Sequence, residues 1–347
     1  MNNTIRHDLK DVISYSSDKK KLCGLKINVG KHGYVELIDW MGTDVSIVES
    51  ARQSYNMGTD ELTYDKTFGM IKNMTKNGHS SPFEQGIIKF KIKMPIFVAR
   101  QFVRTRTASM NESSMRYTES SGDTWEPDNY TWDMRSDKGG IYDTSDEVCK
   151  RAQASITDMI KDDNEKAKEE YKDLLDKNLS KELARVVLPL STYTEFVWSI
   201  DLNNIRHMLH LRMDSHAQRE YFQYAVAIFA LTSAVFPITM ECFYNYSFLS
   251  ANISYEDLIK SKSDMNIIRI KIDSIRKNND AVKECMRNLL FDSIIESEED
   301  KADDDDDDES TDSYTKFNSK ESFEESKKIR HEIFKNVFNK LYYPKNL

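Results

Sequence analysis

The stretch IIKFKIKMP, residues 87–95, alternates strictly between apolar and lysine side chains. Period-two alternation predicts a β-strand with one face on a core and the other in water. Pro95 then suits the first turn of a helix, and PIFVARQFVR repeats apolar residues at helical spacing, so a helix is predicted over 95–104. It places Arg100 and Arg104 one turn apart. A chain with this strand must therefore build a sheet that is covered on one side and join it directly to a helix.

Other segments give the same kinds of pattern. Strands are predicted over GYVELIDWMG and YTEFVWSID, and Thr43 or Asp44 caps a short helix that follows the first of them. Gly78 ends a helix that carries Phe68, Ile71 and Met74. Further helices are predicted over residues 146–177, in KELARVVL, in NNIRHMLHL, and in the largely apolar SHAQREYFQYAVAIFALTSAVF.

Changes in composition divide the chain into three regions. Residues 1–30 are predicted to be a polar N-terminal arm, and residues 31–253 the working domain with a loop insertion at about 119–146. Residues 254–347 are predicted to be an appended, partly helical segment. It contains an acidic run over 296–312 that is predicted to be disordered.

Charge and cysteine usage exclude several classes of protein. The net charge of −9 becomes +2 once the −11 of residues 296–312 is set aside, so the body is not a broadly basic nucleic-acid binder. No apolar run is long enough to span a membrane, and the N-terminus lacks a secretory signal; a cytoplasmic protein is expected. The 4 cysteines lie far apart, which argues against a disulfide framework or a zinc site.

Several well-known site motifs are missing. The chain has no GxGxxG, no GxxxxGK[ST] and no GxSxG. His207 and His210 lack a carboxylate at the spacing of HExxH, so no metal site is predicted.

The segment RTRTASMNESSMRY, residues 104–117, is the first candidate site. Its arginines, serines, asparagine and glutamate resist burial unless they are paired, and arginine suits a bidentate grip on phosphate. The segment is therefore interpreted as a cradle for a phosphate and a nucleobase. Taken alone, it is also compatible with a solvated surface loop.

Two further arginines stand among apolar residues. Arg185 lies in ARVVLPL, and Arg212 follows HMLHL. Each arginine needs a partner for its charge. One possible partner is an anionic ligand, and the alternative is a carboxylate of the chain, for instance Glu182 or Asp214, in an internal ion pair. Spacing alone does not choose between them.

Taken together, these segments resemble the flavin-dependent thymidylate synthases. The signature of that family has Arg-His-Arg followed by spaced serine, asparagine, serine and Arg-Tyr. The chain matches it at Arg104, Arg106, Ser109, Asn111, Ser114, Arg116 and Tyr117 and departs from it at Thr105, where the family has histidine. The flanking GHSSPFE, ARVVLPL and LRMDSHAQ are also similar, and the resemblance covers roughly residues 33–250.

The resemblance implies an α+β fold with an antiparallel or mixed sheet and long helices. It further implies a homotetramer with active sites at subunit interfaces. The implied activity is methylation of dUMP to dTMP, with methylene-tetrahydrofolate as carbon donor and FAD, reduced by NADPH, as hydride source. No nucleic acid, membrane or metal partner is implied.

The resemblance also assigns residues. Arg212 is expected to be catalytic, beside the uracil ring, where a fixed cation stabilises negative charge. The positions expected to hold dUMP are Gln101, Phe102, Val103, Arg104, Glu112, Ser113, Ser114, Met115, Arg116, Arg185 and Arg212. Those expected to hold FAD are Ser81, Arg104, Thr105, Arg106, Glu112, Asp201, Leu202, Asn203 and His207, with His79 and Glu84 in the same pocket.

Two rival functions remain at this point. One is a paralogue that binds FAD or dUMP but turns over poorly because of Thr105. The other is a nucleic-acid-binding module that uses the arginine-rich loop, which the near-neutral body disfavours.

Overall fold

The computed structural model describes residues 22–54, 62–126, 147–214, 217–250 and 266–299. Its centre is a sheet of five strands in the order β1-β2-β3-β5-β4, in which every neighbouring pair is antiparallel. The strands are β1 (Lys26–Val29), β2 (Gly33–Met41), β3 (Ile87–Pro95), β4 (Ser109–Glu112) and β5 (Tyr193–Asp201). The expected α+β class with an antiparallel sheet is confirmed.

Nine α-helices lie within the described ranges. They are α1 (Asp44–Gln53), α2 (Tyr64–Lys76), α3 (Ile96–Phe102), α4 (Glu147–Asp176), α5 (Lys181–Ala184), α6 (Leu202–Arg212), α7 (Arg219–Val235), α8 (Pro237–Phe243) and α9 (Asn266–Glu299). Short 3₁₀ turns occupy Ser81–Gln85 and Arg185–Val187, and a π-turn, Tyr244–Phe248, follows α8. None of the described helices is long and apolar enough to cross a bilayer.

The alternation of the central strand works as predicted. Ile88, Phe90, Ile92 and Met94 of β3 are fully buried, while the lysines between them face the other side. There Lys91 pairs with Glu195 at 3.0 Å, and Lys93 pairs with Asp123 at 2.7 Å. The buried side packs against α7, in which every residue from 224 to 235 is buried. Apolar burial on one side of the sheet is thus the main driving force of the fold.

The helix ends agree with the sequence-based predictions where a capping residue or a glycine marks them. Thr43 caps α1 through a capping box with Ser46, and Gly78 follows α2 with a φ of +69°, a conformation that glycine adopts without strain. Helix α3 ends at Phe102, earlier than predicted, because the N–H groups of Arg104 and Thr105 bond to residues three positions earlier.

The predicted arm, residues 1–30, needs correction at its end. Leu22 and Leu25 are fully buried, and β1 pairs with β2 from Lys26 to Val29. Residues 22–29 are therefore part of the core and the sheet. Residues 1–21 lie outside the described ranges, as does the predicted insertion from 127 to 146.

The boundary at residue 254 also needs correction. Val282, Met286 and Leu289 of α9 are buried in the same hydrophobic core as the sheet and α7. Part of the segment predicted to be appended is thus integral to the fold. Of the acidic run, residues 296–299 form the end of α9, and 300–312 lie outside the described ranges.

This division predicts opposite effects of two changes. Met286→Ala should destabilise the protein by about 2–5 kcal/mol, because it removes a buried side chain and leaves a cavity. Deletion of residues 300–312, which carry charge and almost no apolar groups, should leave the unfolding midpoint, assembly and activity unchanged. Denaturant unfolding and size-exclusion chromatography measure both. A deletion variant that unfolds earlier or changes its assembly would show that the acidic run is structural.

Candidate active site

Three exposed arginines lie on α3 and the residues that directly follow it. Arg100, Arg104 and Arg106 are exposed, and none of them forms an ion pair within the described part of the chain. The segment then continues into β4, the edge strand, which pairs with β5 from Ser109 to Glu112. A row of unpaired guanidinium groups on an edge is an electrostatic environment that suits a phosphate-bearing ligand.

β4 and the turn after it hold the predicted nucleotide residues in place. Thr194 Oγ1 donates a hydrogen bond to Glu112 Oε1 at 2.5 Å, and Ser113 N donates to Glu195 O at 2.8 Å. Ser114 O accepts from Thr118 N and Oγ1 and so closes a turn. The segment is therefore an ordered strand and turn, where the sequence suggested a loop.

Arg116 is connected to the segment that contains Arg185. Arg116 Nε lies 2.8 Å from Glu182 Oε1, and Arg185 Nε donates to Glu182 O at 3.2 Å. The Arg116–Glu182 pair is about half exposed on both sides, and such pairs add little stability, ~0–1 kcal/mol. A phosphate can therefore compete for Arg116 at small cost. The alternative partner Glu182 thus pairs with Arg116, and its carboxylate forms no ion pair with Arg185.

Arg212 lies at the last turn of α6 and is half-buried. Its guanidinium carbon is 4.8 Å from the centroid of the Tyr221 ring, a cation–π contact. It has no ion pair within the described residues, so the alternative of a pair with Asp214 is not observed there. Residues 215–216, next to it in sequence, lie outside the described ranges.

The predicted flavin residues form a second group where β5 joins α6. Asn203 Nδ2 donates to Glu84 Oε1 at 3.4 Å, and Leu202 N donates to Gly86 O at 2.9 Å, which ties the GHSSPFE segment to α6. Ser81, His79 and His207 are exposed nearby in sequence on these two elements. No hydrogen bond or ion pair among the described residues joins this group to the arginines of residues 104–116.

Some predicted contact residues have other functions in the structure. The side chains of Phe102 and Leu202 are fully buried in the core, so only their backbone can face a ligand. The Asp201 carboxylate caps α6, where Asn204 N donates to it at 3.0 Å. Gln101, Val103 and Met115 are at least partly exposed. For all of these residues, binding of dUMP or FAD stays a prediction.

Tyr221 is a residue that the sequence did not single out. It is fully buried and packs on Phe102 with ring centroids 5.4 Å apart, and it carries Arg212 on its face. It lies in an apolar helix, so no local pattern distinguishes it from a core residue. Only the approach of α6 and α7 brings it to the site.

Two cavities border α9 and contain none of the predicted site residues. One is lined by His210, Asp214, Phe248 and residues of α9, and the other by Trp125, Tyr193, Phe222 and residues of α9. No group of histidine, cysteine or carboxylate side chains that suits a metal occurs in the described ranges. The side chains of Arg100, Arg104 and Arg106 are instead exposed to solvent.

Comparisons with known proteins agree with these observations. A family model described as thymidylate synthase complementing protein, Thy1, matches residues 36–238. A flavin-dependent thymidylate synthase of Treponema denticola is 40% identical over 226 residues, which cover 65% of this chain and 84% of the relative. That of Kosmotoga olearia is 39% identical over 239 residues, covering 69% and 99%.

A solved structure supports the same assignment. The UMP/dUMP methylase PolB of Streptomyces cacaoi, bound with 5-Br dUMP, is 30% identical, with a TM-score of 0.56, and the match covers 64% of this chain and 99% of PolB. The family model spans more than half of the chain, over the strands and helices that carry the arginines. The chain is therefore an enzyme of the flavin-dependent thymidylate synthase family.

Proposed function

We propose that the protein methylates dUMP to dTMP, taking the carbon from methylene-tetrahydrofolate and reducing equivalents from NADPH through bound FAD. The observation that carries the proposal is the set of arginines without ion pairs, Arg104, Arg106 and Arg212, on the elements that the family model matches. The similar structure of PolB, which holds 5-Br dUMP, supports the choice of nucleotide.

The dUMP phosphate is assigned to the arginines of the strand and turn. Among the described residues, Arg104 has no ion pair, and the one hydrogen bond of the Arg185 side chain goes to a backbone carbonyl. Arg116 exchanges its exposed carboxylate partner for the phosphate. Ser113 and Ser114 add hydroxyl groups to the same turn, so the nucleotide meets a combination of charge and directional hydrogen bonds.

The residues present fit FAD as well. Arg106 is exposed and has no ion pair in the part of the chain that the structure describes. Asn203 and His207 offer polar groups on the first two turns of α6, which suits a diphosphate-bearing cofactor. The Asp201 carboxylate caps the same end of α6 through Asn204 N and stays negatively charged there, so the positive charge for a diphosphate has to come from Arg106. When bound and reduced by NADPH, the flavin would supply the hydride that converts the transferred one-carbon unit to a methyl group.

Arg212 is assigned to the pyrimidine. A cation with no carboxylate partner has its full field available for negative charge on the ring, and its position on Tyr221 holds it in place. Thr105 has one hydroxyl and neither the ring nor the titratable nitrogen of histidine. It therefore contributes at most a hydrogen bond to the flavin side of the site.

A tetramer is proposed because the site is open. The apolar side chains that flank Arg185 are strongly exposed: Leu183 is 59%, Val186 82% and Leu190 63% accessible. Apolar residues this exposed beside a charged ligand site are typical of a protein interface. A second subunit that covers this surface would also close the ligand site.

Substitution of Val186 by aspartate tests this assembly. The added charge would be buried at the interface, so the tetramer should dissociate at micromolar concentration. Ile270→Asp is the matched control, since Ile270 is 67% exposed on α9, a helix that packs against β1 and α7, whereas α4 packs against the turn that contains Val186. Light scattering after size-exclusion chromatography measures the mass of each. A Val186→Asp protein with wild-type mass would place the interface elsewhere.

The activity is tested with the purified protein. It should be yellow, with a flavin absorption spectrum, and NADPH oxidation should yield dTMP only when dUMP and methylene-tetrahydrofolate are both present. UMP in place of dUMP tests the choice of nucleotide. Flavin and dUMP binding without dTMP formation would support the impaired paralogue instead. A protein that binds neither would contradict the proposal.

A further inference from the structure

The Tyr221 hydroxyl is an unusual group for a core. Its oxygen is inaccessible to solvent and lacks a hydrogen-bond partner of good geometry among the described residues. A buried polar atom without a partner is unfavourable, and phenylalanine would fill the same space without it. The hydroxyl therefore calls for an explanation other than packing.

Tyr224, one turn further along α7, shows how such a tyrosine is normally accommodated. It is also buried, and its hydroxyl donates to Lys93 O at 2.9 Å. Two tyrosines on one helix thus have similar burial but different hydrogen bonding. Only Tyr221 lies at the candidate active site.

Two site residues meet at Tyr221. The Arg212 guanidinium lies over its ring, with 4.8 Å between the guanidinium carbon and the centroid. Thr105 N donates to Phe102 O at 3.0 Å, and the Phe102 ring packs on Tyr221. Burial raises the pKa of the Tyr221 hydroxyl, and the side chains of Thr105 and Arg212 partly oppose that rise. Neither makes a hydrogen bond of good geometry to it.

The stacked arrangement has a consequence for Arg212. A guanidinium group that lies on an aromatic face is held in orientation, while the N–H groups at its edge remain available. Without the ring, the side chain would have many rotamers and would lose entropy on binding a ligand. Tyr221 therefore prepares Arg212 for the ligand.

We propose that Tyr221 is a positioning residue that orients Arg212 toward the pyrimidine, and that its hydroxyl links Arg212 to Thr105, at the position where the family motif has histidine. The inference rests on the proposed function. A histidine carries an aromatic ring and a polar group in one side chain. In this protein the ring would come from Tyr221 on α7, and Tyr221 and Thr105 would together supply the polar groups.

The test compares the binding of dUMP to Tyr221→Leu, Tyr221→Phe and the matched control Tyr224→Phe. Tyr221→Leu removes the ring and should weaken dUMP binding by about tenfold, the factor expected for one lost cation–π contact. Tyr221→Phe keeps the ring and should retain the affinity for dUMP within about twofold while lowering kcat. Tyr224→Phe should leave both dUMP affinity and kcat unchanged. Calorimetry gives the affinity, and thermal unfolding identifies variants that fold.

Thr105→Val supplies the second measurement. Thr105→Val is introduced both into the wild-type protein and into Tyr221→Phe. If the hydroxyls of Thr105 and Tyr221 act together, it lowers kcat in the wild-type background and has no further effect on kcat in the Tyr221→Phe background. Independent effects in this cycle, or wild-type dUMP affinity in a folded Tyr221→Leu protein, would overturn the inference while the proposed function stands. A wild-type protein that does not bind dUMP would overturn both.

Discussion

Replacement of Arg212 by alanine should abolish measurable dTMP formation while FAD stays bound. Arg212 has no ion pair within the described residues, so its charge is available to the ligand. Loss of a group that stabilises charge in a transition state costs about 3–4 kcal/mol, or 10²–10³ in kcat. Flavin retention should persist, because Arg212 lies in the last turn of α6, whereas Asn203, which is proposed to contact the flavin, lies in its first turn.

Two further variants sharpen this experiment. Arg212→Lys keeps the positive charge but loses the planar guanidinium group that stacks on Tyr221, so its kcat should lie between those of Arg212→Ala and the wild type. Arg276→Ala is the control: Arg276 is an exposed arginine on α9 that pairs with Asp273 on its own helix, and its loss should have no effect. Turnover and flavin absorbance are measured on all three. Near-normal kcat in Arg212→Ala would remove Arg212 from the assigned role.

The elements that the sequence predicted best are those with local causes. β3 alternates because one face is buried, and α1 starts at Thr43 because a side chain caps it. β1 was missed since its 4 residues are too few to show a pattern. Helix α9 was predicted only as amphipathic, because sequence gives the spacing of Val282, Met286 and Leu289 but not the surface they contact.

The same distinction between local and tertiary causes applies to the candidate site. The motif around residues 104–117 gave residue types and an order along the chain, and the arginines without ion pairs agree with it. The sequence did not predict that Arg116 meets Glu182, or that Arg212 lies over the ring of Tyr221. These contacts join helices and strands that are distant in sequence, so they depend on tertiary packing. Residues of this kind become visible only in the fold.

Asp44 illustrates the same point and has the largest expected effect on stability. In sequence it is the first residue of α1, and it was considered only as a cap of that helix. In the structure it is 5% exposed, and its carboxylate accepts hydrogen bonds from the first turn of α8. Ile238 N donates to it at 3.0 Å, and Thr239 donates through N at 2.9 Å and through Oγ1 at 2.6 Å. Helix α8 has no cap from its own neighbours, so Asp44 supplies it from a remote part of the chain.

Asp44→Ala should therefore lower the free energy of unfolding by about 3–5 kcal/mol, because two buried backbone N–H groups and a hydroxyl lose their acceptor. Thr43→Ala is the matched control: it removes the ordinary cap of α1, next to Asp44, and should cost only about 1 kcal/mol. Denaturant unfolding at one fixed protein concentration compares the two, since assembly makes the midpoint depend on concentration. Equal losses would mean that Asp44 acts only on its own helix. A larger loss for Asp44→Ala would mean that the Asp44 carboxylate joins α1 to α8. Through α1 it would also join the GHSSPFE side of the site to the core.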